Sequence, residues 1–314
     1  MSLDLEFDDA QAALADALTQ FGRARCDESV LRAADGGFSR GMWSELAALG
    51  VLAAGAPGGD GGALEICAAM EALGRAAFPG PLVGTFVAMQ VLEGSERDAV
   101  AEGEAIVSCG EPPLMPFAPV ADVFLEIAGE AVHRGEPAGP VQAVAVLGGE
   151  PWGRVAIDRG PRLEGSARAL VIGEIALAAQ LAALGARLVE AAAEHARTRR
   201  QFGRSIGEFQ AVAHPLADCS MRLAAGRALA RAAAWHFDEG DLPAASSRAA
   251  SARLACAAAA VEAAHVGHQV FGAIGITLEG PVFHLSRRIR QLASTPPGAD
   301  RARQRMLARL GMAA

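Results

Sequence analysis

The sequence predicts a mainly α-helical protein with a small β section in its middle. An N-terminal helical domain is expected over residues 1–103, a reduced β domain over 104–165 and a C-terminal helical bundle over 166–314. Three observations carry this. Apolar residues recur at three- and four-residue spacing in both outer parts, as in Phe7, Ala10, Leu14, Leu18 and Phe21, and again in Leu177, Leu181, Leu184, Leu188 and Ala192. Between Glu104 and Leu163 that period gives way to short β-favouring runs separated by Gly and Pro. The chain is 52 % hydrophobic yet only 5 % aromatic and has no Tyr, so its core is built from Ala, Leu and Val, which suits closely packed helices.

Each element follows from local signals. A helix is expected over 6–24, with Asp8 and Asp9 near its positive end. A second covers Arg40–Leu49, started by Ser39 as N-cap and stopped by Gly50. Ala56 to Gly62 is a glycine-rich loop, and helices follow over Leu64–Ala76 and Leu82–Leu92. Strands are expected at Ala105–Cys109, Ala121–Ile127, Val141–Leu147 and Arg154–Ile157, with turns at Pro112-Pro113 and Glu136-Pro137. So short a section leaves space for a few strands only, and neither a full barrel nor a parallel sheet is expected. Helices return over Ala167–Thr198, Glu208–Glu239, Pro243–Phe271, Pro281–Leu292 and Asp300–Leu310. Pro215 should kink or locally unbond its helix.

Composition narrows the function. With 314 residues there is enough chain for two or three domains. A net charge of −8 argues against a nucleic-acid or anionic-membrane binder. Long apolar runs such as Leu223–Ala234 are broken by Arg or Glu, so no membrane span is expected. Met1-Ser2-Leu3-Asp4 does not begin a signal peptide, and a cytoplasmic location is expected. The five cysteines form no C-x-x-C, and the histidines, including His265 and His268 one turn apart, show no metal-ligand pattern. The arginines Arg287, Arg288, Arg290, Arg301, Arg303, Arg305 and Arg309 are expected on exposed faces or at subunit contacts.

The densest chemistry lies in Arg199-Arg200-Gln201-Phe202-Gly203-Arg204-Ser205-Ile206-Gly207-Glu208-Phe209-Gln210, a helix-breaking stretch between two long helices. A guanidinium held there can bind two diphosphate oxygens at once. Taken alone, Arg199 and Arg200 are read first as the cationic end of a helix, and the context changes that. The whole window resembles the R-x-Q-F-G-x-x-I-x-x-F-Q signature of the acyl-CoA dehydrogenase family, and His214-Pro215-Leu216-Ala217-Asp218 resembles the segment after it. The resemblance extends to Trp43–Gly50, Glu71–Arg75, and Gln269-Val270-Phe271-Gly272-Ala273-Ile274-Gly275-Ile276-Thr277. It implies FAD as cofactor, with Arg199 on the pyrophosphate and Gln201, Phe202, Phe209 and Gln210 beside it. Gln269 and Gly272 are implied near the adenosine half across a subunit interface. Arg204 has no matching role.

The family removes an α-proton from an acyl-CoA with a Glu carboxylate. The usual position of that base falls on Pro296-Pro297-Gly298, which offers no carboxylate. Some members carry the base on the first long C-terminal helix. That position falls on Gly173, and Glu174 beside it is the alternative. No equivalent of the family's Trp-containing flavin segment is found; Trp152 is the only Trp of the middle section and its neighbours do not match. The resemblance therefore implies a short subunit that pairs with a related acyl-CoA dehydrogenase subunit in an α2β2 flavoenzyme for steroid or other bulky acyl-CoA substrates, with a flavoprotein electron acceptor. The alternatives are a self-sufficient homo-oligomer using Glu174, and a structural subunit without FAD.

Overall fold

Helix α1 (Asp9–Arg25) starts where Asp8 and Gln11 form a reciprocal capping box, with Gln11 N–H donating to Asp8 Oδ1 at 2.8 Å. It opens the computed structural model, which describes residues 5–33, 38–59, 61–296, 298–309 and 312. Met1–Asp4, Asp60, Pro297 and Leu310 lie outside the described residues. Five further helices follow: α2 (Glu28–Arg32), α3 (Arg40–Ala47), α4 (Ala63–Ala76), α5 (Leu82–Met89) and α6 (Gly94–Ala101). Ser39 caps α3 as expected, its oxygen accepting from Met42 N–H at 3.2 Å.

The middle section folds as two small sheets. Strands β1 (Val107–Gly110), β3 (Val123–Ala128), β4 (Ala131–Pro137) and β7 (Ile157–Arg162) form a sheet in the order β1-β3-β4-β7. Strands β2 (Leu114–Pro116), β5 (Gln142–Val144) and β6 (Trp152–Arg154) form a second, in the order β2-β6-β5. The two sheets do not make a full barrel of long strands. Three expectations fail here. β1 and β3 pair in parallel, because the chain between them crosses to the second sheet through β2 before returning. Glu136-Pro137 is the end of β4 rather than a turn, since Pro137 falls at the sheet's margin opposite Ile157. Arg154–Ile157 is split between β6 and β7.

The C-terminal part is α7 (Ser166–Thr198), a hairpin of β8 (Arg200–Gln201) and β9 (Arg204–Ser205), α8 (Gln210–Asp238), α9 (Leu242–Phe271), α10 (Pro281–Ser294) and α11 (Gly298–Arg309). Helix α8 runs on through Pro215, which sits in its second turn. α7 packs on α4 and α5 on one side and on α8, α9 and α10 on the other. By length and composition it could cross a membrane, contrary to the expectation of no such segment, but 78 % of its apolar window is buried inside the protein. One core runs from Leu18 on α1 to Ile289 on α10. Small residues permit the close approach: a Cβ on Gly185 would meet Ala260 Cα at 3.3 Å and Leu223 Cδ2 at 2.7 Å.

Charged groups tie the helices together. Arg231 on α8 holds Glu71 on α4 through two bonds of 2.7 Å and lies 3.6 Å over the Phe7 ring. Asp238 at the end of α8 caps α4 from a distance, accepting from Ala63 N–H at 2.7 Å and Leu64 N–H at 3.1 Å. Three arginines expected on the surface are instead structural. Arg288 is 3 % exposed and donates to the Ala77 carbonyl. Arg287 donates to Ala33 O at 2.6 Å, and Arg301 pairs with Glu111. Arg287 and Arg288 turn inward because α10 carries Leu285 and Ile289 into the core beside them, whereas Arg301 stands on α11.

Candidate cofactor and substrate site

The end of α7, the start of α8 and the end of α9 meet at one corner of the bundle. α7 stops at Arg199, whose backbone is extended and whose N–H donates to His195 O at 2.9 Å. The next residues form a two-residue hairpin whose tip, Phe202 and Gly203, has φ of 51° and 83°. Positive φ at both tip positions matches the twist of paired strands, and Phe202 accepts a conformation that β-carbon sterics disfavour. Arg200 Nη2 donates to Gly203 O at 3.1 Å and closes the hairpin. The Phe202 side chain is 90 % exposed.

Of the seven residues singled out by sequence, four share one groove at this corner. Gln201, Phe202 and Phe209 line one groove with Gln269 of α9, with a volume of about 470 Å³. Gln210 is the first residue of α8 and is exposed. His195 stacks on Phe271 at 4.2 Å and 14°, which fixes the end of α7 against the end of α9. Burial and the nearby Arg199 cation both lower the His195 pKa. Gly272 follows Phe271 with φ of 61°, and the space where a Cβ would stand is open. Arg199 is exposed, and among the described residues its guanidinium has no hydrogen-bond or ion-pair partner. An unpartnered planar cation beside an open glycine backbone suits a diphosphate-bearing ligand. Arg204 does have a role: its guanidinium lies 4.1 Å over the Phe209 ring and orients it.

A second feature lies elsewhere. A partly open, mainly apolar cavity of about 110 Å³ sits between α5, α7, the β sheets and the start of α11. Gly173 and Pro296, the two positions indicated for a base, both line it, as do Glu174 and Trp152. Glu174 is half-buried on α7. Two lining residues were missed in the sequence. Glu150 is a second carboxylate, raised above its ordinary pKa by burial while Arg288, a hydrogen bond from Trp152 and Arg287 pull it back. Arg253 on α9 is 3 % exposed. Glu150 stands in a loop with no motif around it. Arg253 was legible: its helical neighbours Ala249, Ala250, Cys256 and Ala257 make one apolar face with no acidic partner.

The corner and the cavity are carried by the same helix. Gly173 and Arg199 are separated by about 39 Å along α7 at 1.5 Å per residue. A dinucleotide cofactor cannot reach from one to the other.

Comparison with known proteins bears on this arrangement. Residues 8–97 match the family model described as the acyl-CoA dehydrogenase N-terminal domain, and residues 166–310 the one described as its C-terminal domain. The chain is 33 % identical over 262 residues to acyl-CoA dehydrogenase IpdE2 of Mycobacterium tuberculosis, covering 79 % of each. Its fold resembles a chain of the ChsE4-ChsE5 complex from Mycobacterium tuberculosis, with a TM-score of 0.85 at 24 % identity over 99 % of this chain and all of that one. It also resembles PigA in its FAD complex, with a TM-score of 0.79 at 22 % identity over 99 % of this chain and all of that one.

Proposed function

The chain belongs to the acyl-CoA dehydrogenase family, and from that premise we propose that it acts as one subunit of a heteromeric flavoenzyme for the α,β-dehydrogenation of an acyl-CoA. FAD is the cofactor of the family and supplies the acceptor for the hydride equivalent that leaves the acyl β-carbon. On this chain Arg199 would hold its diphosphate, with Gln201, Phe202, Phe209 and Gln210 beside it and Gln269 and Gly272 along the adenosine half.

The separation along α7 carries the proposal. Arg199 and the cavity cannot serve one FAD within a single chain, so Arg199 serves a cofactor whose ring lies in another subunit. The 90 % exposure of Phe202 supports the same reading, because a bare aromatic tip gains only when a neighbour covers it. That the partner is a related chain rather than a copy is supported by Pro296, which stands where a carboxylate is expected and can take no proton. The short strands of the middle section give the flavin ring little cover, and a partner with a fuller β domain would provide it. On this reading the domains divide at 103 and 165, with the outer helical parts presenting the interface. A partner would also complete the route to a flavoprotein electron acceptor.

A second reading rests on a specific observation. Glu174 lines the cavity, so a self-sufficient homo-oligomer could use it as base. Glu150 is a further carboxylate in the same walls.

The test is flavin content of the purified chain alone and co-purified with its related subunit. FAD is expected only in the assembly, and Arg199→Ala should strip it while the helical signal is kept. Arg197→Ala is the control, because Arg197 pairs with Glu194 at 2.7 Å instead. Equal flavin retention in both variants would leave Arg199 as a helix-end cation and remove its cofactor role.

A further inference from the structure

The cavity is apolar over most of its wall, yet its deep side carries polar atoms that the protein leaves unused. Arg253 Nη2 donates to Ala293 O at 3.0 Å and Leu292 O at 3.5 Å, the last carbonyls of α10. Nη1 of the same guanidinium is fully buried, and among the described residues it has no hydrogen-bond partner. No carboxylate pairs with Arg253 among the described residues. Gln180, 7 % exposed, lines the same cavity, and its Oε1 is likewise buried without a partner among the described residues, whereas Trp152 has the Glu150 carboxyl beside it. Buried polar groups are nearly always satisfied, so an unused guanidinium N–H in the wall of a cavity calls for an acceptor from an occupant. A buried cation without a counter-ion is the costliest of these. Burial lowers the Arg253 pKa to about 10, which still leaves it charged at neutral pH.

Capping the end of α10 explains Nη2 but not Nη1. A plain hydrocarbon chain would leave Nη1 without an acceptor. We propose that this wall, with Arg253 as its anchor, receives a carboxylate carried on the acyl group remote from its thioester. Gln180 lies about 10 Å from Gly173 along α7 at 1.5 Å per residue, which sets the scale of the separation between the reacting carbons and that carboxylate. The preferred substrate is then the half-thioester of a dicarboxylic acid, or a bulky acyl group bearing an acid at that distance. This rests on the acyl-CoA reading of the cavity.

The experiment compares binding of two matched series to the FAD-loaded assembly by calorimetry: adipyl-, suberyl- and sebacyl-CoA against hexanoyl-, octanoyl- and decanoyl-CoA. In the wild type at least one dicarboxylic member should bind tenfold or more tighter than its monocarboxylic match. Arg253→Met should abolish that ratio, and Arg253→Lys, which keeps the cation, should retain part of it. A role confined to α10 would change overall affinity or stability but not the ratio. The wild-type comparison stands even if Arg253→Met fails to fold. Equal binding of the two series, or a ratio that survives Arg253→Met, overturns this inference alone. No binding by either series overturns the acyl-CoA reading of the cavity and this inference with it.

Discussion

Arg199 and Arg200 are adjacent and have different work. Arg200 closes the hairpin through Gly203 O, whereas Arg199 extends away from its own chain. His195, one turn earlier, stacks on Phe271 near the Arg199 cation. Its pKa is lowered from the ordinary 6.5 by burial first and by Arg199 second. His268 and His284 are lowered in the same direction, mainly by burial. The sign follows directly: as pH falls through the ordinary histidine range, the unfolded chain takes up protons before the folded one does, and stability drops. Denaturation midpoints should therefore fall from neutral pH toward pH 5. His195→Phe keeps an aromatic ring at the stack and removes one titrating group, so its acid limb should be shallower. An unchanged limb would mean that His195 is not held neutral.

Elements were legible where one face decides them. The expected helices carry regular apolar stripes, and their bounds differ from the observed ones by a few residues at most, whereas the short α2 and α6 were not expected. Asp238 shows what local signals omit. It caps α4 from the far end of α8, and Gly62 must lack a Cβ because one there would overlap the Asp238 carboxylate. Asp238→Ala should cost about 0.5–2 kcal/mol, the range for losing a helix cap, measurable as a lower urea midpoint with an unchanged slope. No loss would show that α4 starts without it. The strands were less legible because they are short and their partners are remote. β4, with Arg134 and Glu136 among its residues, shows no clean alternation, and its register is set by β3 and β7 rather than by its own sequence. The motif residues of the corner were all legible, since they form one contiguous window and one helix end. The cavity was not. Glu150 and Trp152 reach it from the entry to β6 and Arg253 from α9, and only the packing of α9 and the second sheet against α7 brings them together.

At the scale of the whole molecule, one continuous helix sets the argument. α7 carries the cavity near its start and Arg199 at its end, too far apart for a single cofactor. On the function proposed above, a chain built this way would donate its corner to a neighbouring subunit's flavin. With Pro296 in the cavity wall, it would take from that neighbour the carboxylate that removes the α-proton, a group typically contributing about 100- to 10,000-fold in rate. The most direct measurement is turnover of an acyl-CoA panel with an artificial electron acceptor, for this chain alone, for the related subunit alone and for the two mixed. The account predicts turnover in the mixture only, unaffected by Glu174→Gln or Glu150→Gln. Robust turnover by this chain alone, abolished by either substitution, would contradict it and make that carboxylate the base.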